Sequence, residues 1–286
     1  MVNKKHKDRL FRKIFGYEKY RGNLLSLYNA LNDTNYTNPD DMELTTIDDV
    51  IYMGMKNDVS CIIDSRMHLY EQQSSFNPNM PLRGLLYFGK LYNKYIKKNR
   101  LNIYGSHLIK IPTPQYYVFY NGIQNYPDRK VLKLSDAFQK KQTVGDFEWT
   151  AIMLNINYGK NNKLMEQCQI LREYAILIDT IRRYQKMYDN TEEAVTRAVD
   201  ECIEKSILVD FLLEHKSEVI DMCLTEYNEE ETMKMFKEEA REEGREEGIS
   251  VLAEAIMLVR EGFDTVEKLK GKSIPEDIAV RAIQLR

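Results

Sequence analysis

The sequence predicts an α/β core followed by a helical extension. Three observations lead there. Residues 58–73 alternate as a β-hairpin does. A helical stretch and two more strand-like runs come after it. From about Lys163 the apolar residues recur at helical spacing to the end of the chain.

The elements follow in order. The first segment, DRLFRKIFGYEKYRGNLLSLYNALN, holds two short helical patterns broken near Gly16 and Gly22, the second striped by Leu24, Leu25, Leu27, Tyr28 and Leu31. DTNYTNPDD is a loop by its Asn, Asp and Pro content. TTIDDVIYMGM reads as a short strand or an extended approach. In NDVSCIIDSRMHLYEQQ, Val59, Cys61 and Ile63 alternate with Asp58, Ser60, Ile62 and Asp64. A tight turn at DSR follows, and then Met67, Leu69, Glu71 and Gln73 alternate with His68, Tyr70 and Gln72. NPNMPLRGLLYFGKLYNKYIKKNR is a helix entered through Asn79 and Pro81, with a basic end that suits the helix dipole. TPQYYVFYNG is an aromatic strand ending at an Asn-Gly turn, and FEWTAIMLNINYG is strand-like. LMEQCQILREYAILIDTIRRYQKMY is helical, and the next helix opens at Asn190 with Glu193 at capping-box spacing. ETMKMFKEEAREEGREEG is a charged helix with i,i+4 pairs, and two or three short helices punctuated by Gly262, Gly271 and Pro275 close the chain. The expected organisation is a core over 1–160, a helical extension over 161–227, and a charged arm with a small helical tail over 228–286.

With 286 residues, 43% apolar and 30% charged, the chain is long enough for a sizeable core. Its net charge of −3 argues against uniform attraction to a polyanion, yet the charge is unevenly spread. Residues 1–22 sum to +6, residues 90–141 to +9 and residues 226–247 to −6. Cys61, Cys168, Cys202 and Cys223 form no C-x-x-C pair and share no ligand spacing with the histidines, so they are expected as buried apolar residues in a reducing compartment. No apolar run reaches membrane-spanning length and no signal-peptide pattern follows the basic start. A cytoplasmic protein without membrane contact is the expectation.

Glu71 and Gln73 break the apolar pattern. They stand two residues apart on one strand, so both point to the face where core side chains belong. A tight hairpin brings Asp58 towards Glu71. Two carboxylates converging there offer hard oxygen donors to Mg²⁺ or a similar cation. Such an ion polarises a phosphodiester and acidifies an attacking water. The bland alternative is a solvated hairpin end.

NDVSCIID, LYEQQSSFNPNMPLRGLLYFGKLY, IPTPQYYVFYNG, LKLSDAF, LNINYGKN and EEAREEGREEG, in that order, carry a resemblance over nearly the whole chain. The chain resembles the Rpn family of recombination-promoting nucleases, also called YhgA-like putative transposases, within the PD-(D/E)xK nuclease superfamily. The resemblance implies a restriction-endonuclease-like α/β core and a metal-dependent DNA endonuclease linked to recombination or mobile elements. Asp58 and Glu71 would hold Mg²⁺ or another divalent cation, and Gln73 would take the place of the superfamily's usual lysine. A neutral amide lacks that lysine's charge, which Arg83, Lys90 or Lys110 would have to supply. Arg83 reads equally as a phosphate contact or as a brace on the carboxylates. Glu18 or Asn23 would stand where many relatives carry an acid on the first helix. His68 faces away from Glu71. The expected partner is DNA, with the helical C-terminal half available for homo-oligomers. The competing readings are a nuclease fold that binds DNA or a partner without cutting, and an interaction protein assembled through that half.

Overall fold

The computed structural model describes residues 10–45, 59–140 and 147–285; the side chains of residues 226–237, 239–240, 243 and 246–247 lie outside that description. The chain divides into two compact units, residues 1–224 and 225–286.

The first unit is mixed α/β. Helix α1 (Leu10–Phe15) ends at Gly16, and after a turn over Glu18–Tyr20 helix α2 (Arg21–Asn32) begins one residue before Gly22. The two helical patterns are therefore separated between Gly16 and Gly22, as expected, and the second buries Leu24, Leu25, Leu27 and Tyr28. Strand β1 (Glu43–Leu44) is short, and the strand expected over 45–55 falls almost wholly outside the described residues.

The hairpin forms as its period requires. Strand β2 (Val59–Ile63) pairs antiparallel with β3 (Arg66–Gln73), Val59 opposite Tyr70. Asp64 and Ser65 make the two-residue turn, both at positive φ (48° and 56°), the conformation that matches strand twist. Helix α3 (Met80–Lys98) then crosses over to β4 (Thr113–Tyr120), which lies parallel to β3 with Glu71 opposite Val118. Strands β5 (Arg129–Lys133) and β6 (Thr150–Asn155) complete a six-stranded sheet among the described residues, ordered β1-β2-β3-β4-β6-β5. The sequence reading had no β5, because RKVLK is a charged edge strand with little apolar pattern.

The sheet is covered on both faces. On one face Val59, Cys61, Tyr70, Phe119 and Leu154 pack with α1, α2 and later helices. On the other Met67, Leu69, Tyr116, Val118, Tyr120 and Met153 pack under Tyr87, Phe88 and Leu91 of α3. This split follows from strand periodicity alone.

The helical run holds, with two added breaks: one at Cys168, and one inside NTEEAVTRAVDECIEKSILVDFLLEH, which reads as one helix but is interrupted where Ser206 and Leu208 take positive φ (57° and 48°). Cys168 leaves helical geometry (φ −128°, ψ 89°) and separates α4 (Asn162–Gln167) from α5 (Gln169–Gln185). Helix α6 (Thr191–Glu204) is capped by Asn190, whose side chain accepts from Glu193 N–H at 3.0 Å. Helix α7 (Val209–Arg260) starts where the Glu173 carboxylate takes the Leu208 N–H at 2.7 Å, and it kinks at His215. In the second unit α8 (Val266–Lys270) and α9 (Glu276–Gln284) enclose a small core of Ala255, Val259, Leu269, Ile274 and Ala279. No helix among the described residues is long and apolar enough to cross a membrane.

Candidate functional site

Strand β3 carries Glu71 and Gln73 into the α3 side of the sheet, as their spacing requires. Glu71 is not a solvated hairpin end: it is 1% exposed. A carboxylate buried that deeply needs compensation. Three groups give it. Arg83, in the first turn of α3, pairs with Oε1. Gln73 donates its Nε2 to the same oxygen at 3.3 Å. The Tyr116 hydroxyl, from β4, donates to Oε2 at 2.6 Å. The positive end of α3 lies beside them, because Arg83 sits in that first turn.

The electrostatics follow. Burial disfavours the Arg83 charge and Glu71 favours it, leaving the guanidinium raised above its ordinary value. Burial, reinforced by Glu71, pushes the Tyr116 hydroxyl well above its ordinary value, so Tyr116 stays a donor. Arg83 therefore braces Glu71, one of the two roles the sequence left open for it.

A glycine makes this geometry possible. A Cβ on Gly84 would lie 2.4 Å from the Tyr116 ring and 3.2 Å from Trp149 Nε1. With hydrogen there instead, Tyr116 slides beneath α3 and its hydroxyl reaches Glu71. A second close approach closes the strand ends: a Cβ on Gly122 would lie 2.0 Å from the Ser74 carbonyl oxygen. The Asn-Gly pair after β4 is thus more than a turn. Asn121 accepts from Gln72 Nε2 at 2.6 Å and donates to the Tyr174 hydroxyl at 3.2 Å. Arg182 of α5 holds the Asn121 carbonyl and the Asn157 side chain.

The other predicted residues fall as follows. Asp58 lies outside the described residues; β2 begins at the next residue, Val59. Lys90 is half-buried on α3, two turns beyond Arg83. Lys110 precedes Thr113, which pairs with Arg66 and not with Glu71. That places it beyond the far end of the strand pair, about 16 Å from Glu71 along β3. Glu18 pairs with Arg21 at 3.0 Å, and Asn23 donates to the Ile14 carbonyl at 3.0 Å. His68 lies on the opposite face of β3, fully buried, with Nδ1 3.1 Å from the Tyr70 hydroxyl. All four cysteines are buried, and none is in a disulfide among the described residues.

Sequence reasoning missed Tyr116 and Gly84 as parts of the site, whereas the Asn121 side chain bonds on the opposite face of the sheet, to Gln72 and Tyr174. Tyr116 pairs in register with Leu69, so it is the diagonal neighbour of Glu71 across the β3–β4 pair. Only the pairing of strands 45 residues apart reveals that.

Glu71 and the Gln73 amide oxygen are hard donors of the kind Mg²⁺ takes. Among the described residues no group of three or more His, Cys, Asp and Glu converges as a metal site. A cavity of about 530 Å³ opens elsewhere, beside α2, lined by Ser26, Asn29, Asp33, Tyr36 and Gln167. Its polar groups already hold protein partners: Asn29 bonds to Tyr36, Asp33 to Lys163 and Gln167, and Ser26 to Cys168. Comparison of the chain with family models, with curated proteins and with solved structures found no match.

Proposed function

We propose that this chain is a metal-dependent DNA endonuclease with a PD-(D/E)xK-like core, as its resemblance to the Rpn family implies. The observation that carries the reading is Glu71: an acid buried in the sheet interior, with Gln73 beside it and Arg83 on its carboxylate. The succession of helix, three antiparallel strands, crossover helix and a parallel fourth strand agrees with a hairpin flanked by helices.

In this reading Glu71, with Asp58 and the Gln73 amide oxygen, holds Mg²⁺ or another divalent cation. The bound cation supplies Lewis acidity to the phosphodiester and to water. The chain's own groups do the rest. Gln73 orients a water or a phosphate oxygen. Arg83 is the positive charge next to the amide that replaces the lysine, so it answers the missing charge from within the site. Tyr116 fixes the carboxylate rotamer.

The test is plasmid nicking with Mg²⁺, Mn²⁺, Ca²⁺ or EDTA, beside Glu71→Gln and Asp58→Ala. Metal-dependent nicking that both variants lose supports the proposal. Nicking that survives in both, or folded wild-type protein that never nicks, overturns it.

One observation favours a second reading. Both Glu71 oxygens already hold protein donors, so the site is balanced without a metal. A nuclease-fold protein that binds DNA without cutting fits that balance. A salt-dependent gel shift without metal-dependent nicking is its signature. Self-association through the helical half is a separate proposal, and light scattering of the full chain at several concentrations decides it.

A further inference from the structure

Residues 72–127 contain seven Lys/Arg and no Asp or Glu. They include α3, β4 and the loop between them, residues 99–112. Within this acid-free run Leu82, Leu86, Gly89, Asn93, Lys94, Lys97 and Lys98 are exposed along α3. Lys90, Lys94 and Lys97 recur at i, i+4 and i+7, one side of a helix. They span about 11 Å, the axial length of roughly three phosphates on one DNA strand. Lys98 is tied to Glu43 at 2.7 Å, so the stripe ends in Lys94, Lys97, Arg100 and Lys110.

The loop at the end of this stripe is unusual. Tyr104 and Leu108 are each 92% exposed, with Ile103 and Ile111 also exposed. Four large apolar side chains exposed within nine residues make this loop a candidate interaction surface. The loop is also shaped in advance. The Tyr92 hydroxyl donates to the Pro112 carbonyl at 2.8 Å and fastens its base. Asn99 donates to the Tyr95 carbonyl at 2.9 Å, and the Asn102 side chain accepts the Tyr104 N–H at 3.0 Å. Tyr104 thus projects from an ordered turn, not from a slack segment.

We infer that the basic side of α3 and the 99–112 loop form a duplex-DNA surface, on which the stripe follows the phosphates and Tyr104 and Leu108 wedge between base steps. Apolar wedges flanked by Lys and Arg are how architectural proteins kink DNA from the minor groove. A membrane surface fits less well. The charge extends along the helix away from the apolar tip, and that tip offers four large apolar side chains, against the broad apolar face of an interfacial helix. The inference rests on the reading of the chain as a protein that acts on DNA. It adds where the duplex lies and how it is deformed.

The experiment uses the full chain in EDTA, so that binding is read without cleavage. Anisotropy of a labelled mixed-sequence duplex is followed over roughly 50 to 200 mM salt, and a 2-aminopurine duplex reports unstacking. K94Q/K97Q/R100Q/K110Q is expected to bind at least about tenfold more weakly and to flatten the log–log salt slope by about 3. Y104A/L108A is expected to keep the slope, bind several-fold more weakly and lose the 2-aminopurine signal. These residues are exposed, so both variants should fold, and circular dichroism verifies it. An unchanged slope in the first variant, or undiminished unstacking in the second, overturns the inference. So does wild-type protein that ignores duplex and sediments with phosphatidylserine vesicles. Wild-type protein that binds and unstacks duplex but never nicks in any metal removes the nuclease reading and supports this one.

Discussion

The two faces of β3 are equally dry and handle polarity in opposite ways. Glu71, towards α3, is kept as a charge, met by a guanidinium, an amide and a phenol. His68 and Tyr70, towards α1 and α2, are kept neutral. Burial, aided by Arg66, holds His68 down to about 3, and burial pushes the Tyr70 hydroxyl and the Cys61 thiol up. His68 Nε2 has no hydrogen-bond partner among the described residues. Burial alone therefore does not tell the two faces apart. What separates the two is whether the neighbours were chosen to keep a charge or to suppress one.

The comparison breaks most severely at Glu71. Glu71→Ala leaves Arg83 beside an apolar hole, and loss of one partner of a buried pair costs about 3–5 kcal/mol. Urea unfolding reads it, and Glu71→Gln should recover part of the stability.

The opposite face is tested with acid. In the unfolded chain a histidine takes up its proton near pH 6.5, whereas His68 in the fold resists until about 3. Stability from this site is complete above pH 6.5 and is lost as pH falls towards 3. By pH 4 the loss should reach about 3 kcal/mol. His68→Phe should flatten that limb of the pH profile; an unchanged profile would show that other groups set it.

Smaller changes sharpen the contrast. Tyr116→Phe deletes a hydrogen bond to a charged group and should cost about 2 kcal/mol. Gly84→Ala drives a methyl into the Tyr116 ring and should cost about 1–3 kcal/mol. The two should not add, because both act through the Tyr116–Glu71 contact. The mildest test is at the turn. Asp64→Asn with Ser65→Gly suits both positive-φ positions and should stabilise by about 1 kcal/mol while leaving both faces untouched. A chemical-denaturation midpoint that falls would show that the native pair makes contacts worth more than the strain.

Much of this arrangement was legible beforehand, for identifiable reasons. Strand period placed Glu71 and Gln73 on one face and His68 on the other. The Asn190 cap and the entry to α3 followed from local chemistry. What escaped depends on distance in sequence. Tyr116 reads as core, and it is core; its second role exists only because β4 lies parallel to β3. The helix break at Cys168 has no Gly or Pro to announce it. It accompanies a side chain buried completely, with Ser26 Oγ 3.7 Å from its sulfur. Gly16 and Gly22, by contrast, announced the break between α1 and α2.

The slot at Gly84 has a practical consequence. The chain contains one tryptophan, Trp149, and its indole nitrogen would be 3.2 Å from a Cβ at that position. Its ring also meets Phe88 edge-on at 5.0 Å. Any adjustment of the first turns of α3, where Arg83 is carried, must therefore alter the surroundings of a single native fluorophore. The protein comes with its own optical gauge, readable by stopped-flow emission or quenching without a label, on the helix that holds the counter-charge of Glu71.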